Sequence, residues 1–214
     1  MSVTVIADIV GSRSLPDRAA AQRTLDQIIA EVDEDGPRAI QRLTPTVGDE
    51  QQALYATTDS ALRAILLLQL ALPDGVQCRF GVGVGETGEV PAASGAIPEG
   101  PGWWAARRAI DEVRALQQRT LPAARTRVVV DAGESSSTHE AAKFANAYAL
   151  VRDQLIAGMS ERARRLTYGR CRGRTQRELA ASEDITQSAV SQTLAHSGAA
   201  ALVVTFIDLA GESE

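Results

Sequence analysis

Two cysteines, a single lysine and few aromatics narrow the possibilities for this 214-residue chain before any motif is read. Cys78 and Cys171 fall in different parts of the sequence, which excludes a disulfide framework and a zinc set. No apolar run approaches the ~20 residues a membrane helix requires; Ala64 to Leu68, for one, is followed at once by Gln69. Asp8 and Arg13 break any apolar leader at the start. These absences set the expectation of a cytoplasmic protein with no membrane partner. Basic residues are nearly all arginine, Lys143 being the exception.

What is present is a 44% apolar composition, enough for a buried core, and an uneven distribution of charge. Residues 1–150 carry 14 Lys/Arg against 19 Asp/Glu, and residues 151–214 carry eight of each. Residues 162–177 hold seven arginines (Arg162, Arg164, Arg165, Arg170, Arg172, Arg174, Arg177) and no acid. Such a block suits contact with phosphates, or equally a solvated helix face.

Periodicity divides the first part of the chain into alternating elements. Val3 to Ala7 reads as a short buried strand. Pro16 opens a helix in which Leu25, Ile28, Ile29 and Val32 share a face, stopped by Gly36-Pro37. Ile40 to Thr46 and Gln51 to Ala56 read as a hairpin turning at Gly48-Asp49. Asp59 to Leu72 is an apolar helix, and Val76 to Gly85 an alternating strand. A loop rich in Gly, Ala and Pro runs to Gly102, followed by a helix from Trp103 to Gln118 and a strand from Arg127 to Val130. This order predicts an α+β fold of the ferredoxin-like kind, an antiparallel sheet with helices on one face. In that topology Asp8, ending the first strand, and Asp49, at the hairpin, become neighbours. Two hard carboxylates beside glycine turns are one way to hold a Mg²⁺-bound triphosphate; they also cap turns by accepting backbone N–H bonds.

A polar stretch at Gly133 to Ser137 predicts a boundary between a domain at 1–133 and a helical one at 138–214. Thr138 is expected to cap a long helix with Phe144, Ala147, Tyr148, Val151 and Leu155 along one side. A shorter helix is expected around Ser160 to Leu166. Thr175-Gln-Arg-Glu-Leu-Ala and then Ile185-Thr-Gln-Ser-Ala-Val-Ser-Gln form a helix-turn-helix pattern over 175–194. Thr175 and Glu178 make a capping box, and Thr186 caps the second helix. Leu179, Ala180, Val190 and Leu194 point inward. Gln187, Ser188, Ser191 and Gln192 lie on the exposed face, where short polar side chains reach base edges in a major groove. Duplex DNA is the expected partner, with Arg170, Arg172 and Arg174 on phosphates; a plain helical hairpin at an interface is the other reading. Ala200 to Leu209 is apolar and β-branched, a strand or a packing segment.

Four segments in order carry a family resemblance. Ala7-Asp8-Ile9-Val10-Gly11-Ser12 resembles the opening strand and loop of class III nucleotidyl cyclases. Val47-Gly48-Asp49-Glu50 resembles their hairpin, and that of GGDEF-type diguanylate cyclases. Phe80 to Glu86 resembles the glycine-rich strand that follows, and Gly100 to Arg108 the start of a later helix. With a helix-turn-helix after them, the set is most similar to the SatD family of bacterial proteins. The resemblance implies Asp8 and Asp49 as a metal pair, and Ile9, Val10, Gly11 and Ser12 as a cradle for a nucleotide's phosphates. It implies Arg108 as the arginine that would stabilise transferring charge. Trp104 replaces the cyclase asparagine, Pro45 the base-reading lysine, and Ile97 the acid, with Glu99 nearby. The implied protein is therefore a dimeric regulator whose cyclase-like domain has degenerated and serves pairing and nucleotide sensing. An active Mg²⁺-dependent cyclase or related phosphotransferase is the alternative.

Overall fold

The structure, a computed structural model, describes residues 2–46, 48–92 and 95–211. It is an α+β protein built on one five-stranded sheet. The first part runs β1 (Val3–Ile9), a 3-10 turn (Ser12–Ser14), α1 (Arg18–Asp35), β2 (Gln41–Pro45), β3 (Gln51–Tyr55), α2 (Thr58–Ala71) and β4 (Cys78–Val84). It continues through β5 (Gly88–Ala92), β6 (Gly95–Glu99), α3 (Pro101–Arg119) and β7 (Thr126–Val130). Five helices complete the described chain: α4 (Ser136–Ala157), α5 (Glu161–Cys171), α6 (Gln176–Ser182), α7 (Gln187–His196) and α8 (Ala199–Asp208).

The sheet order is β2-β3-β1-β4-β7. It is mixed rather than wholly antiparallel as expected, because β7 lies parallel to β4. The long connection through α3 carries the chain back to the end at which β4 began, which a parallel neighbour requires. Nor do the helices keep to one face. Val3, Val5, Ala7 and Ile9 of β1 join the core under α1 and α2, whereas Ile6 packs with Trp103, Ala106 and Ile110 of α3. All seven residues of β1 are buried for this reason.

The glycine-rich strand has a packing explanation. A Cβ on Gly81 would stand 2.5 Å from the Ala106 carbonyl oxygen, and one on Gly83 would stand 2.1 Å from that of Gly102. The α3 backbone thus lies directly on β4, and only glycine leaves it room. The Thr4 hydroxyl donates to the Gly102 carbonyl at 2.8 Å and fixes the start of α3. The segment expected as a loop before Gly102 forms the β5–β6 hairpin, which among the described residues is a two-stranded sheet of its own. Pro91 and Pro98 within it disguise the strand pattern; Ala93 and Ser94 lie outside the described residues.

The division expected near residue 133 does not separate two cores. One apolar cluster runs from the sheet through Leu66, Leu67 and Leu68 of α2 to Leu166 of α5, Val190 of α7 and Phe206 of α8. Helix α2 is apolar all round because the sheet and α5 cover it on both sides. The 200–209 segment is a helix, tied back where Arg63 Nε donates to the Phe206 carbonyl and the guanidinium lies 4.3 Å from that ring. The cap of α4 is Ser135, three residues before the expected Thr138, which supplies the N–H that Ser135 accepts.

Helix α4 inverts the usual polarity of a surface helix. Its inner side presents Asn146, Arg152 and Asp153 to β7, the outermost strand. Asn146 accepts from the Val128 N–H and donates to the Val128 carbonyl, both at 2.8 Å. Asp153 Oδ2 accepts from the N–H groups of Arg125 and Thr126 at 2.7 and 2.8 Å. These side chains stand in for a missing sixth strand and close the sheet edge. Arg152, fully buried, pairs with Asp153 and with Thr126 Oγ1. The apolar stripe is left outside: Phe144 is 75% and Val151 62% exposed.

Candidate functional site

Asp8 is the penultimate residue of β1, on the face that α3 covers, and Arg79 of β4 stands directly across from it in the antiparallel register. Arg79 grips the carboxylate with both prongs, Nε to Oδ1 at 2.8 Å and Nη2 to Oδ2 at 3.2 Å. Its third nitrogen donates to Gln117 at 2.9 Å. Arg114 of α3 adds a bond to Oδ2 at 2.8 Å. Asp8 and Arg79 are both buried, so each is an ion that the fold must neutralise.

Past β1 the chain turns at Gly11, whose φ of 66° is the left-handed conformation glycine tolerates. Ser14 Oγ donates back to the Gly11 carbonyl at 2.8 Å. Asp49 follows Gly48 at the tip of the β2–β3 hairpin, 3.5 Å from Arg18 of α1; Val47 lies outside the described residues. Asp8 and Asp49 line one open cleft of about 470 Å³, together with Ile9, Gly11, Ser12, Ser14, Arg79 and Arg114. The two acids thus reach a common cleft, but two guanidiniums occupy both oxygens of the first.

This arrangement does not fit a divalent ion. Among the described residues no group of three or more His, Cys, Asp or Glu converges as a metal site. A cation at Asp8 would have to displace the buried Arg79 from its carboxylate and the more exposed Arg114 with it. The cradle is also incomplete, because the Val10 N–H already donates to the Gln77 carbonyl at 2.7 Å. Arg108 does not line the cleft. Arg107, Asp111 and Arg114 share the helix face that looks toward the hairpin and the cleft, and Arg108 lies a hundred degrees off it. Arg107 makes two 2.5 Å bonds to Glu50, which hold the guanidinium above its ordinary pKa. Trp103 is core and Trp104 is 54% exposed. Sequence reasoning missed Arg79 and Arg114; the available signal was a lone arginine inside an otherwise apolar strand.

The second candidate region is built on α6 and α7. Thr175 Oγ1 accepts the Glu178 N–H at 3.2 Å, and Glu178 Oε2 accepts the Thr175 N–H at 2.7 Å, a closed capping box. The turn passes through Asp184 at φ 52°, and Thr186 caps α7. Leu179, Ala180, Val190 and Leu194 are buried, and Gln187, Ser188, Ser191 and Gln192 are exposed. Glu183, where an apolar residue is usual, instead takes a two-pronged hold from Arg165 of α5 at 2.8 and 2.7 Å, with Arg162 at 3.7 Å.

The arginine block is largely tied to the body. Arg164 pairs with Asp74 at 2.6 Å, and Arg172 pairs with Asp35. Arg170 donates to the Arg174 carbonyl at 2.5 Å, and Arg174, exposed, reaches the Glu178 carbonyl at 3.4 Å. Of the three arginines expected on phosphates, Arg172 is paired with a carboxylate, whereas half-exposed Arg170 and exposed Arg174 have no carboxylate partner among the described residues. Arg177 is exposed in the same way. The partners Asp35 and Asp74 are remote in sequence, and folding brings them in.

Taken together, this is a mixed α+β protein with an arginine-clamped cleft at one end of its sheet and a capped two-helix unit near its carboxy terminus. The SatD family model matches residues 2–205, and the chain belongs to that family. No curated protein matches it. Among solved structures it is similar to one described as "Structure of a bacterial light-regulated adenylyl cyclase", at 16% identity over 56% of this chain and 71% of that one, with a TM-score of 0.39. A likeness of that size carries no argument about activity.

Proposed function

We propose that this chain is a DNA-binding transcriptional regulator in which a cyclase-like body has lost catalysis and carries a helix-turn-helix reader. The observation that supports it best is the division of α7. Val190 and Leu194 anchor the helix while Gln187, Ser188, Ser191 and Gln192 face solvent in its first two turns. These are the turns that enter a major groove in such readers, and the side chains are of base-edge length. Arg174 and Arg177, just ahead of α7, supply charge for phosphates.

For the body, the order β2-β3-β1-β4, with α1 and α2 in the connections, supports a ferredoxin-like βαββαβ reading to which β7 and the later helices are added. The clamp on Asp8 argues against the alternative of a Mg²⁺-dependent cyclase or phosphotransferase, since the acid that would hold metal is already neutralised. In this reading the body is a scaffold that sets where two readers stand.

Selection of duplex sequences by the full-length protein tests the proposal. Wild type is expected to enrich a defined site, ideally a repeated half-site. Gln187→Ala with Gln192→Ala is expected to abolish that enrichment while the fold is retained. Failure to enrich any duplex sequence at low salt ends the reading.

A further inference from the structure

Phe144 and Val151 of α4 are 75% and 62% exposed. They lie at helical spacing with the exposed Ala141 and Ala147, while Tyr148 and Leu155 at the inner margin of the stripe pack partly buried against the core and the polar residues of the same helix turn inward. Beside the stripe runs an apolar groove of about 460 Å³ between α4 and α8, with Phe144 at its edge and Tyr148, Thr205 and Leu209 in its wall. Val204 of α8 is 56% exposed. A fully buried aromatic removes roughly 150–250 Å² from water, so Phe144 alone leaves about 150 Å² exposed. With Val151, Val204 and the alanines the patch comes to roughly 400 Å², the upper range for a monomer and about half of the ~800 Å² per partner in a standard interface.

We propose that α4 packs antiparallel on α4 of a second copy, about a two-fold axis beside Tyr148. Two features of the helix point to a copy of itself rather than to a foreign partner. The first is symmetry. Phe144 lies four residues before Tyr148 and Val151 three after it. An antiparallel twin therefore sets the partner's Val151 against Phe144. An isologous contact requires this matching of large and small residues around one point. The second is charge. Glu140 and Lys143 are the exposed ionised side chains of α4, and they pair with each other at 2.5 Å. The α4 side of the contact therefore carries no net charge, which leaves its apolar side chains free to meet those of a second α4. The inference does not depend on DNA binding, and it places the pairing surface on the helical part rather than on the cyclase-like sheet.

Lys143 is the single lysine of the chain, which makes the geometry directly readable. Across the proposed axis the two Lys143 Cα atoms stand about 18 Å apart, from ~1.5 Å rise per residue and ~8–10 Å between axes. Sedimentation velocity of the full chain is expected to give a dimer. An amine-reactive cross-linker with an ~11 Å spacer should then join Lys143 to Lys143 of the partner subunit. Val151→Asp, on an exposed side chain, is expected to weaken the dimer about 30-fold or more with an unchanged circular dichroism spectrum and a melting point that no longer rises with protein concentration. A wild-type monomer at 100 µM concentration (roughly the weakest association an interface of this class gives) overturns the proposal. So does a dimer that survives Val151→Asp, or one joined only through its amino termini.

Discussion

At the end of β1 a carboxylate that reads as free in the sequence is held by Arg79 and Arg114; on α7 four polar side chains that read as free remain so. Both regions were picked out by the same kind of reasoning, residue type at an element's end. They differ in burial. Asp8 is buried beside α3 at the floor of the cleft, so the fold had to supply counter-charges before any ligand could. Gln187, Ser188, Ser191 and Gln192 stay hydrated, and nothing inside the protein competes for them. A polar residue under a second layer of structure is spoken for; one on an exposed, well-capped helix is available.

The sharpest way to break this comparison is to remove Asp8. If it is a structural counter-ion, Asp8→Ala strands the buried Arg79 guanidinium and costs about 3–5 kcal/mol of stability, read by urea denaturation. A vacant metal acid behaves in the opposite sense: removing one of two neighbouring carboxylates relieves repulsion and leaves stability equal or higher. A stability gain in Asp8→Ala would therefore sink the clamp. Replacing both partners, Asp8→Leu with Arg79→Met, should recover most of the loss.

On the other side of the comparison, Gln187→Ala should leave stability within about 0.5 kcal/mol and weaken a selected DNA site by roughly 5- to 150-fold, the range for one good base contact. Equal losses on specific and random DNA would show that the side chain reads phosphate, not sequence. Arg172→Ala sharpens the contrast. Its partner is Asp35, so the expected result is a small loss of stability and an unchanged salt slope, whereas Arg174→Ala should lower that slope by about one.

Much of the fold was legible because it is local or repetitive. The α+β class follows from alternating periods, and the caps at Thr175 and Thr186 were read correctly from single residues. The convergence of Asp8 and Asp49 on one cleft follows from strand order alone. What escaped needs register or phase. Arg79 meets Asp8 through the pairing of strands 71 residues apart, and Arg114 rather than Arg108 reaches the cleft because of where α3 rolls on β4. The facing of α4 escaped for a different reason. Its apolar stripe was visible, but the free edge of β7 called Asn146 and Asp153 inward and sent the stripe out.

The α6–α7 turn carries two smaller effects. Asp184 holds a left-handed φ of 52° where glycine would be unstrained. Asp184→Gly should stabilise the chain by about 0.5–1 kcal/mol, checked by the shift in thermal midpoint; a decrease would mean that the Asp184 side chain makes a contact of its own.

Acid should act on the same turn through Glu183. Bonds from Arg165 hold its carboxylate below the ordinary value near 4.5. A carboxylate whose folded pKa is depressed binds its proton more weakly when folded, so it stabilises the fold above the unfolded pKa. That contribution fades as pH falls below about 4.5 and is gone once the folded value is passed. Glu178, lowered in the same direction by the Thr175 N–H, fades with it. Amide exchange should therefore quicken in α6 and α7 as pH is lowered from 5 toward 3, after correction for the intrinsic rate. Glu183→Gln should flatten that response at the turn and leave β1 unchanged. If exchange in α6 and α7 does not respond to Glu183→Gln, the Arg165–Glu183 bonds contribute nothing to the turn.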